Sequence, residues 1–172
     1  MLKMPNIILI GYRGTGKTTI AKNLGEKLGL LIINIDEEIK KQIGSINESV
    51  KKHGWKEFRE TESRIIQNLD IKDAIIDCGG GVVESEKNIE NLRKIGKIVL
   101  LKADSNTIIK RLEGSHERPS ISGNKPFTEE VEEVLERRIP LYKKAADFEI
   151  DTDNKTIEEV SGEILKLIKE NE

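Results

Sequence analysis

NIILIGYRGTGKTTIAKNL, residues 6–24, decides how the rest of the chain is read. A short apolar run passes straight into a glycine turn, and apolar residues then recur at Ile20, Ala21, Leu24 and Leu28, a helical stripe. Between them GYRGTGKT fits G-x-x-x-x-G-K-[ST], with Gly11, Gly16, Lys17 and Thr18 in the fixed positions. The glycines allow a tight turn whose backbone N–H groups face inward, the helix aims its positive end at the same spot, and Lys17 adds a point charge. Gly14, Thr15, Gly16, Lys17, Thr18 and Thr19 are therefore expected to cradle the phosphates of a nucleoside triphosphate, with the Thr18 hydroxyl on a bridging Mg²⁺. A plain glycine turn with an exposed lysine does not need a strand before it and an amphipathic helix after it.

Outward from this segment, short β-branched runs alternate with longer stretches of helical period, the pattern of an α/β fold with a parallel sheet. Strands are predicted at residues 6–11, 30–34, 74–78, 97–101 and 148–151, all brief and apolar enough to be buried on both faces. Helices are predicted at 17–28, 36–42, 46–69, 85–95, 105–112, 128–145 and 156–169. Two regions break the alternation. Residues 36–69 put several helical turns between the second and third strands and read as a substrate-binding insert. Residues 113–127, EGSHERPSISGNKPF, are polar and rich in glycine, proline and serine, and read as a lid.

The 172 residues suit one domain over 1–172. With 29 basic against 31 acidic side chains, no global field directs the protein to nucleic acid or to a membrane. One cysteine, Cys78, excludes an internal disulfide and a cysteine-built metal site, and a reducing, cytoplasmic setting is the default. The N-terminal apolar run, about five residues, is too short for a signal segment or a span. His53 and His116 are too isolated to argue for a metal site.

No NKxD base-reading motif is present, so a GTPase is disfavoured, and the chain is short for a helicase-type ATPase. A small-molecule kinase fits: it needs the cradle, a second pocket for an acceptor hydroxyl, and a lid that excludes water. Residues for that pocket lie downstream: Asp36 in IINIDEEI, Arg59 and Glu62 in WKEFRETE, Gly79, Gly80 and Gly81, and Arg138 in ERRIPLY. Two arginines and a carboxylate suggest an anionic, hydroxylated acceptor.

These residues give the sequence a close resemblance to the shikimate kinase family. The resemblance runs in order through GYRGTGKTT, Asp36, GWKEFRETE, the glycine triplet, Arg118 with Pro119, and RIPLYKKAADFEIDT. It implies a P-loop NTPase fold with a five-stranded sheet of order 2-3-1-4-5, and transfer of the ATP γ-phosphoryl group to the 3-hydroxyl of shikimate, on the way to chorismate and the aromatic amino acids. By the same resemblance Asp36 bonds the ring hydroxyls and helps the attacking one lose its proton, although an acid there also suits a helix N-cap. Arg59 and Arg138 resemble the pair that grips the shikimate carboxylate, with Glu62 orienting Arg59 or forming an ordinary helix pair with it. Gly79, Gly80 and Gly81 let substrate approach the bare backbone, unless they form a merely flexible turn. Arg118 resembles a lid arginine that stabilises charge on the transferred group. Arg111 resembles the residue packed on adenine, or is an exposed helix cation.

The sequence departs from the family in places. Asn34 stands where the family carries the first acid of D-x-D, an acid associated with Mg²⁺, and Asp77 stands where it carries a small or hydroxyl residue. Asp77 resembles a Walker B aspartate and is expected to supply the charge that Asn34 lacks; alternatively it caps the glycine turn. Trp55 replaces a common glutamate and is expected to pack the insert helices together. The lid reads RPSIS in place of RPLL, and Cys78 reads as a core filler. The expected catalyst is a monomer using ATP and Mg²⁺, with Lys17, Asp36 and Arg118 at the reacting groups. The rivals are a kinase for another hydroxy acid such as gluconate and a catalytically impaired nucleotide-binding relative.

Overall fold

A computed structural model describes residues 4–113, 120, 121, 123 and 125–171. Strands β1 (Asn6–Ile10), β2 (Leu31–Asn34), β3 (Ala74–Asp77), β4 (Gly96–Lys102) and β5 (Phe148–Asp151) form one parallel sheet in the order β2-β3-β1-β4-β5, as expected. Strand order reverses beside β1, which opens a crevice at the carboxyl ends of the strands, and the glycine loop leaves β1 there. The register sets both Leu9 and Asn34 opposite Asp77, so the three strand ends meet at that rim.

Side chains alternate across the sheet. Ile7 and Leu9 join Ile75, Val99, Leu101 and Ile150 under α1 (Lys17–Leu28) and α8 (Ile157–Glu170). Ile8 and Ile10 face the other way, toward α2 (Ile35–Ile43), α4 (Trp55–Gln67), α5 (Glu86–Ile95), α6 (Ser105–Leu112) and α7 (Phe127–Ala145). Burial on both faces explains why β1, β3 and the centre of β4 carry near-continuous apolar runs. The edge strands do not meet that expectation: in β2 Leu31 is 60% exposed and Ile32 37%, and in β5 Glu149 and Asp151 are exposed. An edge strand is covered by fewer neighbours, so its apolar run overstates its burial.

The helix predicted over 46–69 is two helices, α3 (Ile46–His53) and α4. Gly54, at φ +71°, both ends α3 and precedes α4, a backbone state that breaks helical continuity and costs a glycine little. Trp55 therefore opens a helix. Its ring meets Phe58 edge-to-face, 5.3 Å between centroids, within α4 itself. The helix predicted to open at 85 is preceded by a 3-10 turn, Val82–Glu84, which places Glu84 near the glycine triplet.

Asn6 ties the sheet together at its other end. Its buried amide donates to the Ile71 and Ile95 carbonyls at 2.7 and 2.9 Å, and its Oδ1 accepts from the Ala74 N–H at 2.9 Å. One side chain thus joins the starts of three strands. Asn6→Ala is expected to cost about 3 kcal/mol, because buried backbone groups lose their partners as well as the bonds themselves. Urea unfolding would reveal this as a lowered midpoint at unchanged slope; a shift worth under about 1 kcal/mol would mean that water replaces the amide.

Among the described residues, no helix is long and apolar enough to cross a membrane.

Candidate active site

The site begins where β1 ends. Gly16 caps α1 at φ +93°, and the Ile20 N–H bonds back to the Gly16 carbonyl, so the first N–H groups of α1 are left facing the loop. Lys17, 8% exposed, donates to the Gly11 and Tyr12 carbonyls at 2.7 and 3.0 Å, lying along the loop it serves. Thr15 Oγ1 donates to the Tyr12 carbonyl at 2.8 Å and braces the turn. A cleft of about 270 Å³ opens above, lined by Gly14, Gly16, Lys17, Thr18, Thr19, Asn34, Asp36, Asp77, Gly79 and Gly80 among others.

The ends of β2 and β3 contribute a polar cluster to this cleft. Thr18 Oγ1 donates to Asp77 Oδ2 at 2.7 Å, and Asn34 Nδ2 donates to the same oxygen at 2.9 Å. Burial pushes the Asp77 carboxyl upward, while the Lys17 charge and the hydrogen bonds from Thr18 and Asn34 oppose that rise. Thr18 thus spends its proton on Asp77 and keeps its lone pairs. The other end of the Asn34 amide is also engaged, for its Oδ1 accepts from the Glu37 N–H at 3.0 Å and caps α2. The N-cap is thus Asn34 and not Asp36, which lies buried in the first turn of α2. Asp77 likewise engages Thr18 and Asn34 through side-chain hydrogen bonds.

The glycine triplet after β3 is where the second pocket converges. A Cβ on Gly79 would stand 3.1 Å from Asp36 Oδ1 and 3.2 Å from Glu62 Oε2. On Gly80 it would stand 3.4 Å from the Arg13 backbone nitrogen and 3.5 Å from Arg138 Nη1. On Gly81 it would meet Arg59 Nη2 at 2.0 Å. At Gly79 and Gly81 the requirement for glycine is therefore close approach of the pocket's own charged groups, which a merely flexible turn does not explain, whereas the distances at Gly80 are ordinary contacts. Arg13, Trp55, Phe58, Arg59, Ile121 and Arg138 complete the wall of this second pocket, which shares Gly79 and Gly80 with the phosphate cleft.

Each arginine is paired with a carboxylate. Arg59 Nη1 donates to Glu62 Oε1 at 2.8 Å, and its guanidinium carbon lies 5.0 Å from the Phe58 ring centroid and 5.6 Å from that of Trp55. Glu62 is fully buried; desolvation raises its pKa against the opposing pull of Arg59 and Arg138. Arg59–Glu62 is thus an orienting pair with one partner out of water. Arg138, 2% exposed, donates through Nη2 to Glu84 Oε2 at 2.9 Å. Beside it the buried Tyr142 hydroxyl donates to the Gly80 carbonyl, and burial pushes that phenol far up.

Arg111 Nη1 donates to the Gly14 carbonyl at 3.0 Å and to Thr152 Oγ1 at 3.3 Å. It lines a second recess of about 270 Å³ with Thr152, Lys155, Thr156 and Ile157, which shares Gly16 and Thr19 with the phosphate cleft. Arg118 lies outside the described residues. From the segment read as a lid, Ser120 Oγ and the Ile121 N–H both bond the buried Glu130 carboxylate, which also lies 3.7 Å from Arg13 Nη2. Cys78 is buried among apolar neighbours and its thiol is pushed well up, the state of a core filler.

Several contributors carry no sequence signal of their own. Arg13 occupies a free position of the loop motif, Glu84 pairs with a residue 54 positions away, and Thr152 and Lys155 sit in an unremarkable turn. Only their proximity to the triplet and the loop gives them meaning.

A phosphate-loop fold of this strand order, with a second charged pocket opening on the same cleft, defines a small-molecule phosphotransferase. The shikimate kinase family model matches residues 13–169. The shikimate kinase of Thermodesulfovibrio yellowstonii is 42% identical over 165 residues, covering 95% of this chain and 94% of that one. That of Caldanaerobacter subterraneus is 39% identical over 165 residues, with 95% of each chain covered. The solved shikimate kinase of Acinetobacter baumannii in complex with shikimate superposes with a TM-score of 0.92 at 30% identity, over 98% of this chain and 95% of that one. The chain belongs to the shikimate kinase family.

Proposed function

We propose that this chain transfers the γ-phosphoryl group of ATP to the 3-hydroxyl of shikimate, releasing ADP and shikimate 3-phosphate. The observation that carries the reading is the glycine triplet, against which Asp36, Arg138 and Arg59 all converge beside the phosphate loop. In this reading the loop N–H groups, Lys17, Thr18 and Thr19 hold the triphosphate, and Arg111 packs on the adenine in the recess beyond Gly14 and Thr15. Arg59 and Arg138 take the acceptor carboxylate, and Gly79, Gly80 and Gly81 let the ring lie against backbone. Asp36 accepts the proton of the attacking hydroxyl as its oxygen bonds to the γ-phosphorus and the bond to the β-phosphate oxygen breaks. Arg118 is assigned the developing charge on the transferred group. Residues 36–69 then act as the acceptor-binding insert and residues 113–127 as the lid of one domain. The reading includes a monomer, since both pockets come from one chain, and a cytoplasmic setting, in keeping with a single buried thiol.

Mg²⁺ belongs to the same reading. A hydroxyl whose proton is given to a buried carboxylate suits a cation that takes few protein ligands and completes its shell with water and phosphate oxygens. Thr18 and Asp77 would hold it, and when bound it neutralises phosphate charge. Asp77→Asn is expected to raise the Mg²⁺ concentration for half-maximal rate by about tenfold, with Asn34→Asp changing it much less. Equal activity of the Asp77 variant at limiting Mg²⁺ would remove Asp77 from the metal site.

A coupled ADP-release assay with shikimate, quinate and gluconate as acceptors tests the whole assignment. Strong stimulation by shikimate is expected. Stimulation by gluconate alone would reassign the acceptor, and none by any of the three would leave a nucleotide-binding module.

A further inference from the structure

Glu84 stands where an acceptor's carboxylate would be gripped. Its Oε2 accepts from Arg138 Nη2 at 2.9 Å and lies 3.8 Å from Arg59 Nη2, so one oxygen lies between the two guanidiniums assigned to the acceptor. Its Oε1 is engaged by Arg137 at 2.6 Å. The carboxylate hangs from the 3-10 turn that directly follows Gly81, and its side chain is about one-third exposed. Burial alone would raise its pKa, but Arg138, Arg137 and Arg59 together hold it below the ordinary glutamate value, so it is charged at neutral pH.

We infer that Glu84 is an internal carboxylate that competes with the acceptor for Arg59 and Arg138, and so weakens acceptor binding. The inference rests on the assignment of those two arginines to the shikimate carboxylate. A bound carboxylate must share guanidinium N–H groups with Glu84 and sit near its negative charge. Arg59 is already paired with Glu62, so a second acid lowers the positive potential of the pocket further. Arg138 does not depend on Glu84 for its position, because it is almost wholly enclosed on α7 beside Tyr142 and Gly80. Glu84 is therefore a specificity-tuning residue and not a structural clamp. It also lowers the hold on the product, which keeps the same carboxylate and carries added phosphate charge.

The test is Glu84→Gln, which keeps an oxygen acceptor for Arg138 and removes the charge. Trp55, the sole tryptophan, has its ring centroid 5.6 Å from the Arg59 guanidinium carbon, so its fluorescence is the probe used for acceptor binding. The variant is expected to bind shikimate about 3- to 10-fold more tightly, with KM for shikimate lowered in parallel and KM for ATP unmoved. The gain should vanish with shikimate methyl ester, which lacks the charge; a clamp acting only through Arg138 geometry would not make that distinction. Unchanged or weaker shikimate binding in Glu84→Gln, or an equal gain with the ester, overturns the inference. If the unsubstituted chain neither binds nor phosphorylates shikimate, the underlying assignment falls instead.

Discussion

Asp36→Asn should lower kcat by a factor of about 10² to 10⁴ while leaving KM for ATP within about twofold, the range expected when a positioned proton acceptor is removed. Asp36 lies in the first turn of α2, 8% exposed, with its carboxylate against Gly79 and beside the cleft of the phosphate loop. The amide fills the same volume and can still bond a ring hydroxyl, but it cannot take a proton at neutral pH. Since Asn34 caps the helix, Asp36 is released from that structural duty, and the variant should fold with little loss of stability. A coupled assay at saturating shikimate and ATP measures the effect directly. A kcat within tenfold of the original would mean that proton removal contributes little, and that positioning of the hydroxyl beside the γ-phosphoryl group accounts for the rate.

Gly81→Ala should raise KM for shikimate by about 10- to 100-fold, equivalent to losing one charge-assisted hydrogen-bonded contact. The added methyl carbon would lie 2.0 Å from Arg59 Nη2, 2.5 Å from the guanidinium carbon and 2.7 Å from Nη1. No rotation of one atom relieves three such contacts, so the whole guanidinium must move. It is held by the Glu62 hydrogen bond and lies against the Trp55 and Phe58 rings, so a shift disturbs the contacts that orient it. The φ of Gly81, −93°, is open to alanine, so the harm comes from displacement and not from backbone strain. KM for ATP should not change, because Arg59 is absent from the wall of the phosphate cleft. Unaltered acceptor kinetics would show that Arg59 does not touch the substrate.

These two sites differ in how far the chain declares them. The phosphate loop and its strand-helix context are legible because the motif is local: glycine turn, lysine and hydroxyl lie within one stretch, and the apolar periods on either side declare the elements. Strand order follows from resemblance, since no residue pattern distinguishes β3 from β2 as the neighbour of β1. Asp36, Arg59 and Arg138 belong to motifs spread over a hundred residues, but what binds them into one pocket, the successive contacts of Gly79, Gly80 and Gly81, is a property of packing. The same holds for the single helix expected over 46–69. Apolar periodicity runs through Gly54, and only its left-handed backbone separates α3 from α4. Glu84 is invisible in the sequence because its partners lie 25 and 54 positions away, and a lone glutamate in a turn looks like any solvated charge. Asn34 reads as a missing acid, whereas it joins the cap of α2 to Asp77 through opposite ends of one amide.

The Asn6 amide has a bearing on how the molecule comes apart. It fastens β1, β3 and β4 at their amino ends, while at the carboxyl ends Asp77 joins Asn34 and Thr18, and Thr152 Oγ1 joins β5 to β4 through the Lys102 carbonyl. Slow amide exchange should accordingly be found around Ile7 and Ile75, beside the point where one side chain holds three strands. The phosphate loop and the glycine triplet leave the opposite ends of two strands that this one side chain anchors, so both pockets stand on a shared footing.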